Sequence, residues 1–317
     1  MKMKNVKVLN TVIFKGCEES LIKLSEVAEV KTVEANREEV LEIIQDYDVY
    51  FSSLAFRVDQ EFIDKAKKLK LVVSPSTGTD HIDKKYLFSK GIKLFDLSKE
   101  LELIRTFTAT SELAFTLLLN VNRQIFSAVN SIKTNNWGRE VYSGNQLLGK
   151  TLGIIGMGRL GTISANIAKG FGMNVIYNDI LKIDSEIGKQ VELDFLCKNS
   201  DYITIHVHLD DLTVNLINMN HFKMMKNSCI VINTARAKIV NEIDLLNALK
   251  NKTIAGAGLD MIDGEWMHDK TSHPLIQYSL KNDNLLITPH IGGATSESIY
   301  GARIFMASKL YDYVKNF

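Results

Sequence analysis

Short apolar runs rich in β-branched residues alternate along this chain with stretches whose apolar positions recur at helical spacing, the pattern of strand–helix–strand units around parallel sheets. In the first third, strands are predicted at 6–14, 28–33, 48–51, 71–74 and 92–95. Helices are predicted between them at 37–46 and 59–69, the second placing Phe62, Ile63, Ala66 and Leu69 on one face. A second series starts at Thr151, with strands at 152–155, 174–178, 202–206, 229–233, 255–259 and 285–288, an order that fits a doubly wound sheet. Between the two series, 108–132 is apolar through Leu113, Leu117, Leu118 and Val121 with no Pro or Gly, which predicts one long helix. Gly and polar residues make 135–149 a connecting loop. After Ala294 a final helix is expected, with Ile304, Phe305, Ala307 and Leu310 as its apolar positions. The fold class is α/β.

Composition narrows this picture. The 317 residues suffice for about two domains at roughly 150 residues each. A formal net charge of +1 leaves no general attraction for nucleic acid or an anionic membrane, so neither is an expected partner. Lys65, Lys67, Lys68 and Lys70 form a basic run that reads as the solvated face of a helix. Cys17, Cys197 and Cys229 are widely spaced, without a C-x-x-C, which suits a reducing compartment and makes the cytoplasm the expected location. The N-terminal stretch is basic and then apolar, yet Lys7, Asn10 and Thr11 interrupt the apolar run and no small-x-small cleavage site follows, so a signal sequence is not expected. No run approaches the ~20 apolar residues of a membrane span, and no cluster reads as a metal site.

Candidate chemistry begins at Gly156-Met157-Gly158-Arg159-Leu160-Gly161, which directly follows a predicted strand and opens a helix through Ile163, Ala165, Ile167 and Ala168. In that context G-x-G-x-x-G is a dinucleotide signal: Gly156 permits the turn, Gly158 lets backbone amides approach a pyrophosphate, and Gly161 allows close packing of helix on strand. The helix N-terminus adds unpaired N–H groups and partial positive charge. Asp179, at the end of the next strand, can accept the hydroxyl hydrogens of an adenosine ribose and repels a 2′-phosphate, so NAD is preferred over NADP, with Lys182 weakening the preference slightly.

Three further segments lie just past predicted strand ends: I-N-T-A-R-A with Arg236, G-L-D-M-I-D-G-E-W with Asp260 and Glu265, and T-P-H-I-G-G with His290. Singly, Arg236 reads as a surface cation, Glu265 as a loop charge and His290 as a core histidine. Together they match what reduction of a 2-oxo acid requires. A guanidinium holds the carboxylate bidentately and polarises the carbonyl. An imidazole supplies the proton near neutrality. A carboxylate on the other ring nitrogen fixes the tautomer and raises the pKa.

These segments, with the loop N-N-W-G-R-E, the motif S-T-G-T-D-H-I-D at 76–83 and the helix T-S-E-L-A-F-T-L-L-L-N-V-N-R at 110–123, closely resemble the D-2-hydroxyacid dehydrogenase family over nearly the whole chain. The resemblance implies a Rossmann NAD-binding domain at 106–294 and a smaller flavodoxin-like substrate domain at 1–105 plus the terminal helix 295–317, with NAD in a cleft between them. It assigns Arg236 to the substrate carboxylate, Glu265 to support of the histidine and His290 to acid–base catalysis. It further implies that amides at Arg159 and Leu160 meet the pyrophosphate and that Thr234, Ala235 and Asp260 lie around the nicotinamide. His206, Thr213, Gly292 and Gly293 join the cofactor's surroundings, and Gly78 and Thr79 offer amides to the substrate carboxylate. A homodimer through the NAD domain and its long helix is implied as well.

Three departures from the family pattern stand out: Ala237 where a Gly follows the arginine, His208 in the segment after the third strand of the second series, and Trp266 after Glu265. A Cβ at Ala237 could shift the loop that aims Arg236, while His208 and Trp266 either shape substrate choice or reflect neutral drift. Phosphohydroxypyruvate, hydroxypyruvate and glyoxylate stay open as substrates, with Arg57, Lys84 or Arg105 as a possible cation for a substrate phosphate. No appended regulatory domain is expected. The rival reading is a non-enzymatic NAD(H)-sensing scaffold of the corepressor kind; a formate-oxidising enzyme is disfavoured because Glu265 beside His290 serves a hydroxyl proton.

Overall fold

The computed structural model describes residues 6–267 and 269–316, so the first five residues of the predicted domain 1–105 and the last of 295–317 lie outside it. The chain forms two compact units, Met1–Phe107 with Ala294–Phe317, and Thr108–Gly293.

The first unit carries β1 (Lys7–Asn10), β2 (Glu29–Thr32), β3 (Val49–Phe51), β4 (Leu71–Val73) and β5 (Lys93–Phe95), in the spatial order β2-β1-β3-β4-β5. All neighbours run parallel, which is the flavodoxin-like arrangement. One face packs Val8, Phe51, Leu71 and Val73 against Met306, Ala307 and Leu310 of the terminal helix Ser296–Lys315. The other buries Leu9, Tyr50 and Val72 against Val40, Phe62 and Leu87.

In this unit several predicted elements are shorter than their periodicity suggests. The strand predicted at 6–14 ends at Asn10 because the Asn10 side chain accepts from Val12 N–H and donates to Val12 O, each at 3.0 Å, turning the chain out of the sheet. The helix predicted at 59–69 spans Gln60–Lys65, capped by Asp59. It stops at Ala66, where Lys67 N–H bonds Lys65 O at 2.9 Å and the chain is redirected toward β4. The helix at 37–46 becomes Arg37–Ile43 followed by a tighter turn at Ile44–Asp46. In the terminal helix Ile304 is exposed and Met306 takes the buried position. The basic run is solvated, with Lys65 facing Glu61, Lys68 facing Asp46 and Lys70 facing Asp48.

The second unit carries β6 (Thr151–Ile155), β7 (Asn174–Asn178), β8 (Lys189–Gln190), β9 (Tyr202–Ile205), β10 (Ile230–Asn233), β11 (Gly256–Leu259) and β12 (Leu285–Ile287). Their order, β12-β11-β10-β9-β6-β7-β8, reverses direction at the β6/β9 boundary, as in dinucleotide-binding sheets. Strand β8 is an addition to the predicted six; two residues of polar sequence, K-Q, carry no apolar signal.

The predicted long helix at 108–132 is two helices, Ala109–Arg123 and Ile125–Lys133. Gln124 breaks it with φ 48°, a left-handed backbone. Just before the break, buried Asn122 is tied to the rest of the unit, donating to Asn145 O (2.7 Å) and accepting from the Tyr202 hydroxyl (3.0 Å). The first helix buries Leu117, Leu118 and Val121 against the sheet, whereas Ile125–Lys133 buries none of its residues. The loop 135–149 contains one short 3₁₀ turn, Arg139–Tyr142.

Candidate active site

The seven-stranded sheet aligns its strand ends. Asn178 pairs with Ile155, Ile155 with Ile205, Ile205 with Asn233, Asn233 with Leu259 and Leu259 with Ile287. The residues that follow these positions, Asp179, Gly156, His206, Thr234, Asp260 and Thr288, therefore form one row at the carboxyl edge of the sheet. Ligands collect at that edge in open α/β sheets, beside the point where strand order reverses.

At the reversal, Gly156 has φ 92°, and a Cβ there would lie 2.9 Å from the His206 carbonyl; a Cβ on Gly161 would lie 2.1 Å from Gly156 O. Both positions therefore demand glycine. A Cβ on Gly158 would meet nothing within 4 Å, so the backbone there faces open space. Gly158 caps the helix Arg159–Gly170 without a side-chain bond, leaving the amides at the start of the helix, Arg159 and Leu160 included, turned toward that space. Asp179 closes the turn: Oδ2 accepts from Met157 N–H at 2.8 Å and Oδ1 from Leu181 N–H at 2.9 Å.

His206 sits behind this loop with Nε2 2.9 Å from Ser164 Oγ and 3.0 Å from Thr204 Oγ1, while its buried Nδ1 has no hydrogen-bond partner. Burial, with the charge of Arg159, pushes its pKa down to about 4, so it is neutral at physiological pH. The Thr213 hydroxyl is engaged by its own loop, donating to His208 O at 2.7 Å and accepting from Asp210 N–H at 2.8 Å. His208 itself is exposed.

Beyond β10, Asn233 shapes the segment that presents Arg236. Its side chain donates to Arg236 O (2.8 Å) and accepts from Ala235 N–H (3.0 Å), and Arg236 then enters a 3₁₀ turn at Ala237–Ile239. Ala237 is therefore on ordinary right-handed backbone, and its Cβ brings no strain to a position where the family pattern has glycine. Next to it, Thr234 is buried with its hydroxyl unpartnered. Asn233 was not singled out from sequence; the signal available was a polar amide ending an apolar strand.

Asp260 is fully buried and holds the next segment. Its carboxylate accepts from the Thr288 hydroxyl (2.6 Å), Ile291 N–H (2.8 Å) and Gly292 N–H (2.7 Å), and its carbonyl accepts from His290 N–H (2.6 Å). Burial raises the Asp260 pKa against these bonds. A Cβ on Gly292 would lie 2.9 Å from Asp260 Oδ2, so the turn needs glycine there, while Gly293 borders open space. The same clamp holds His290 at φ 54°, a conformation that costs about 1–2 kcal/mol for a residue with a Cβ. In that pose His290 Nδ1 is 2.6 Å from Glu265 Oε2, with side chains 33% and 15% exposed. The hydrogen bond to Glu265 raises the His290 pKa; burial and the positive charge of Arg236 oppose it without reversing the direction. Thus Arg236, from the loop after β10, and Asp260 and Glu265, from the loop after β11, all act on the His290 imidazole. Gly78 and Thr79 belong to the first unit, on the loop after β4, where Thr79 is buried with an unpartnered hydroxyl.

The residues fit a dinucleotide: a glycine turn open at Gly158, a bare helix N-terminus, an acidic side chain at the adjacent strand end and an unpartnered buried hydroxyl at Thr234. Comparison with known proteins agrees. Residues 115–292 match the family model described as D-isomer specific 2-hydroxyacid dehydrogenase, NAD binding domain, and residues 8–101 match that family's catalytic domain. A glyoxylate reductase of Thermococcus onnurineus is 35% identical over 86% of this chain and 80% of its own length. A hydroxypyruvate reductase of Thermotoga maritima is 32% identical over 92% of each chain. Among solved structures, a D-lactate dehydrogenase of Aquifex aeolicus complexed with NAD and lactic acid superposes with a TM-score of 0.86 at 26% identity, covering 98% of this chain and 96% of that one. Among the described residues, no helix is long and apolar enough to cross a membrane. The chain belongs to the D-isomer specific 2-hydroxyacid dehydrogenases and is an NAD-dependent oxidoreductase.

Proposed function

We propose that this enzyme interconverts a small 2-oxo acid and the corresponding 2-hydroxy acid, of D configuration where C2 is a stereocentre, with glyoxylate and hydroxypyruvate as the first candidates. The observation that carries the reading is the His290–Glu265 pair, held at 2.6 Å and within the field of Arg236. Arg236 binds the substrate carboxylate through its planar fork. His290 Nε2, the ring nitrogen away from Glu265, gives its proton to the carbonyl oxygen in reduction and takes it back in oxidation. Glu265 keeps the ring in the required orientation and stabilises the imidazolium. The chemistry NAD(H) supplies when bound is hydride transfer at the substrate's C2. Gly156, Gly158, Arg159, Leu160 and Gly161 would hold its pyrophosphate, Asp179 its ribose, and Thr234, Ala235, Gly292 and Gly293 its nicotinamide side. His206 and Asp260 back these loops, Thr213 closes one of them, and Gly78 and Thr79 are assigned to the substrate carboxylate.

Names of the relatives support the two- and three-carbon acids, and Arg105, one candidate for a substrate phosphate, already pairs with Glu102 at 2.9 Å. Homodimerisation is supported by the helix Ile125–Lys133, which exposes Ile125, Phe126, Val129 and Ile132. Cytoplasmic residence is supported by three free, buried cysteines. The deciding experiment is NADH oxidation with glyoxylate, hydroxypyruvate, pyruvate and phosphohydroxypyruvate, compared by kcat/KM. Highest kcat/KM with glyoxylate or hydroxypyruvate is expected. Bound NADH without turnover of any of the four would overturn the enzyme reading in favour of a sensing scaffold.

A further inference from the structure

Glu265 is delivered to His290 by the segment between β11 and the helix Pro274–Ser279, and that segment is fastened at its base by two side chains the chemistry above does not use. Glu242, at the start of the helix Glu242–Lys250, accepts Asp263 N–H on Oε1 at 2.8 Å. Its Oε2 lies 3.2 Å from His273 Nε2. Both side chains are largely buried, at 18% and 16% exposure. His273 Nδ1 in turn accepts Leu275 N–H at 3.3 Å, capping the helix Pro274–Ser279. A ring nitrogen that accepts carries no proton, so the neutral tautomer bears its hydrogen on Nε2 and donates it to Glu242. One carboxylate therefore ties together the two ends of the Glu265 segment.

Glu242 also closes a second connection. The stretch from Arg236 through the 3₁₀ turn Ala237–Ile239 leads directly into it, and Lys238 on that turn faces the Asp263 carboxylate at 3.7 Å. The guanidinium and the histidine's carboxylate partner are thus mounted on one braced unit.

We infer that Glu242 and His273 are positioning residues for the acid–base step: they hold Glu265 at hydrogen-bond distance from His290. The inference rests on the reading of His290 as the proton donor. Burying a carboxylate is a poor route to stability alone, even when it is hydrogen-bonded, whereas fixing a loop whose misplacement by about 1 Å costs about a hundredfold in rate is a functional return. The charged groups that act on His290 are Glu265, Arg236 and Asp260; the titratable groups around Glu242 are His273 and Asp263. Loosening the clip withdraws Glu265 and leaves Arg236, which lowers the proton affinity of His290.

The test compares Glu242→Ala, Glu242→Gln, His273→Asn and Glu265→Gln by the pH profile of kcat/KM for reduction, by NADH affinity from fluorescence and by Tm. Glu242→Ala is expected to lower kcat roughly tenfold and to move the alkaline limb down by about half a unit or more, with NADH affinity within about twofold of wild type. Glu242→Gln keeps an acceptor for Asp263 N–H and loses the one for His273 Nε2–H, so its rate and its limb should fall between those of Glu242→Ala and wild type. His273→Asn, which retains a good helix cap, should shift the limb in the same direction. If Glu242→Ala fails to fold, the last two variants decide. Wild-type limbs in the folded Glu242 and His273 variants, with a shifted limb in Glu265→Gln, would overturn the clip alone. An unmoved limb in Glu265→Gln would overturn the underlying acid–base reading.

Discussion

His290 Nδ1 and Glu265 Oε2 lie 2.6 Å apart, although one side chain follows β12 and the other follows β11. The contact leaves Nε2 as the ring nitrogen able to exchange a proton with substrate, and it determines the enzyme's pH response. Reduction consumes a proton, so kcat/KM for a 2-oxo acid is flat at low pH and falls as pH rises through the raised His290 pKa. Oxidation of the hydroxy acid rises over the same window. Glu265→Gln removes the largest raising influence while burial, Arg236 and Asp260 remain, so both limbs should move to lower pH. His290→Ala should lower kcat by about 10²–10⁴ with NADH affinity nearly unchanged; loss of NADH binding in equal measure would make the residue structural.

Arg236→Lys keeps the charge and loses the fork. We expect kcat/KM for the 2-oxo acid to fall on the order of a hundredfold, with KM and kcat both affected and NADH affinity within about twofold. Steady-state kinetics beside a fluorescence titration checks this. A variant with wild-type kcat/KM would remove Arg236 from the substrate site.

His206 carries a stability signature. Its pKa is depressed to about 4 in the folded protein against 6.5 for the free side chain, so the unfolded chain binds the extra proton between those values. Stability contributed by this group is present above about pH 6.5 and lost as pH falls toward 4, by about 2 kcal/mol between pH 7 and pH 5. Urea titrations of the apoenzyme at the two pH values should show this difference shrinking in His206→Asn. An unchanged difference would mean the ring is protonated in the fold.

The helix break offers a paired test. Asn122→Ala leaves the Tyr202 hydroxyl and Asn145 O without their partner, which should destabilise the protein by about 2–3 kcal/mol. Gln124→Gly places the residue suited to left-handed backbone at φ 48° and should be neutral to stabilising by up to about 1 kcal/mol. Chemical denaturation measures both; a destabilising Gln124→Gly would mean the side chain makes contacts worth more than the backbone strain.

What the amino-acid order determined by itself was everything governed by near neighbours along the chain. Alternating apolar runs announced two α/β series, the glycine turn announced a βα junction with a bare helix N-terminus, and polar residues just past strand ends marked Asp179, Arg236, Glu265 and His290. Periodicity failed where a single backbone angle overrode it. Gln124 lies inside a stretch, 108–132, with no Pro or Gly to mark a stop, and still breaks the helix, and Asn10 ends β1 through its own side chain. Tertiary structure alone decided the strand register that sets Asp179, Gly156, His206, Thr234, Asp260 and Thr288 in one row. It alone assigned Asp260 to clamping the His290 turn and brought Glu242 to Asp263 and His273. The reason is physical: dihedral preference and helical or strand period act over a few residues, whereas register, clamps and buried polar pairs exist only once distant segments have been packed together and their polar groups must find partners.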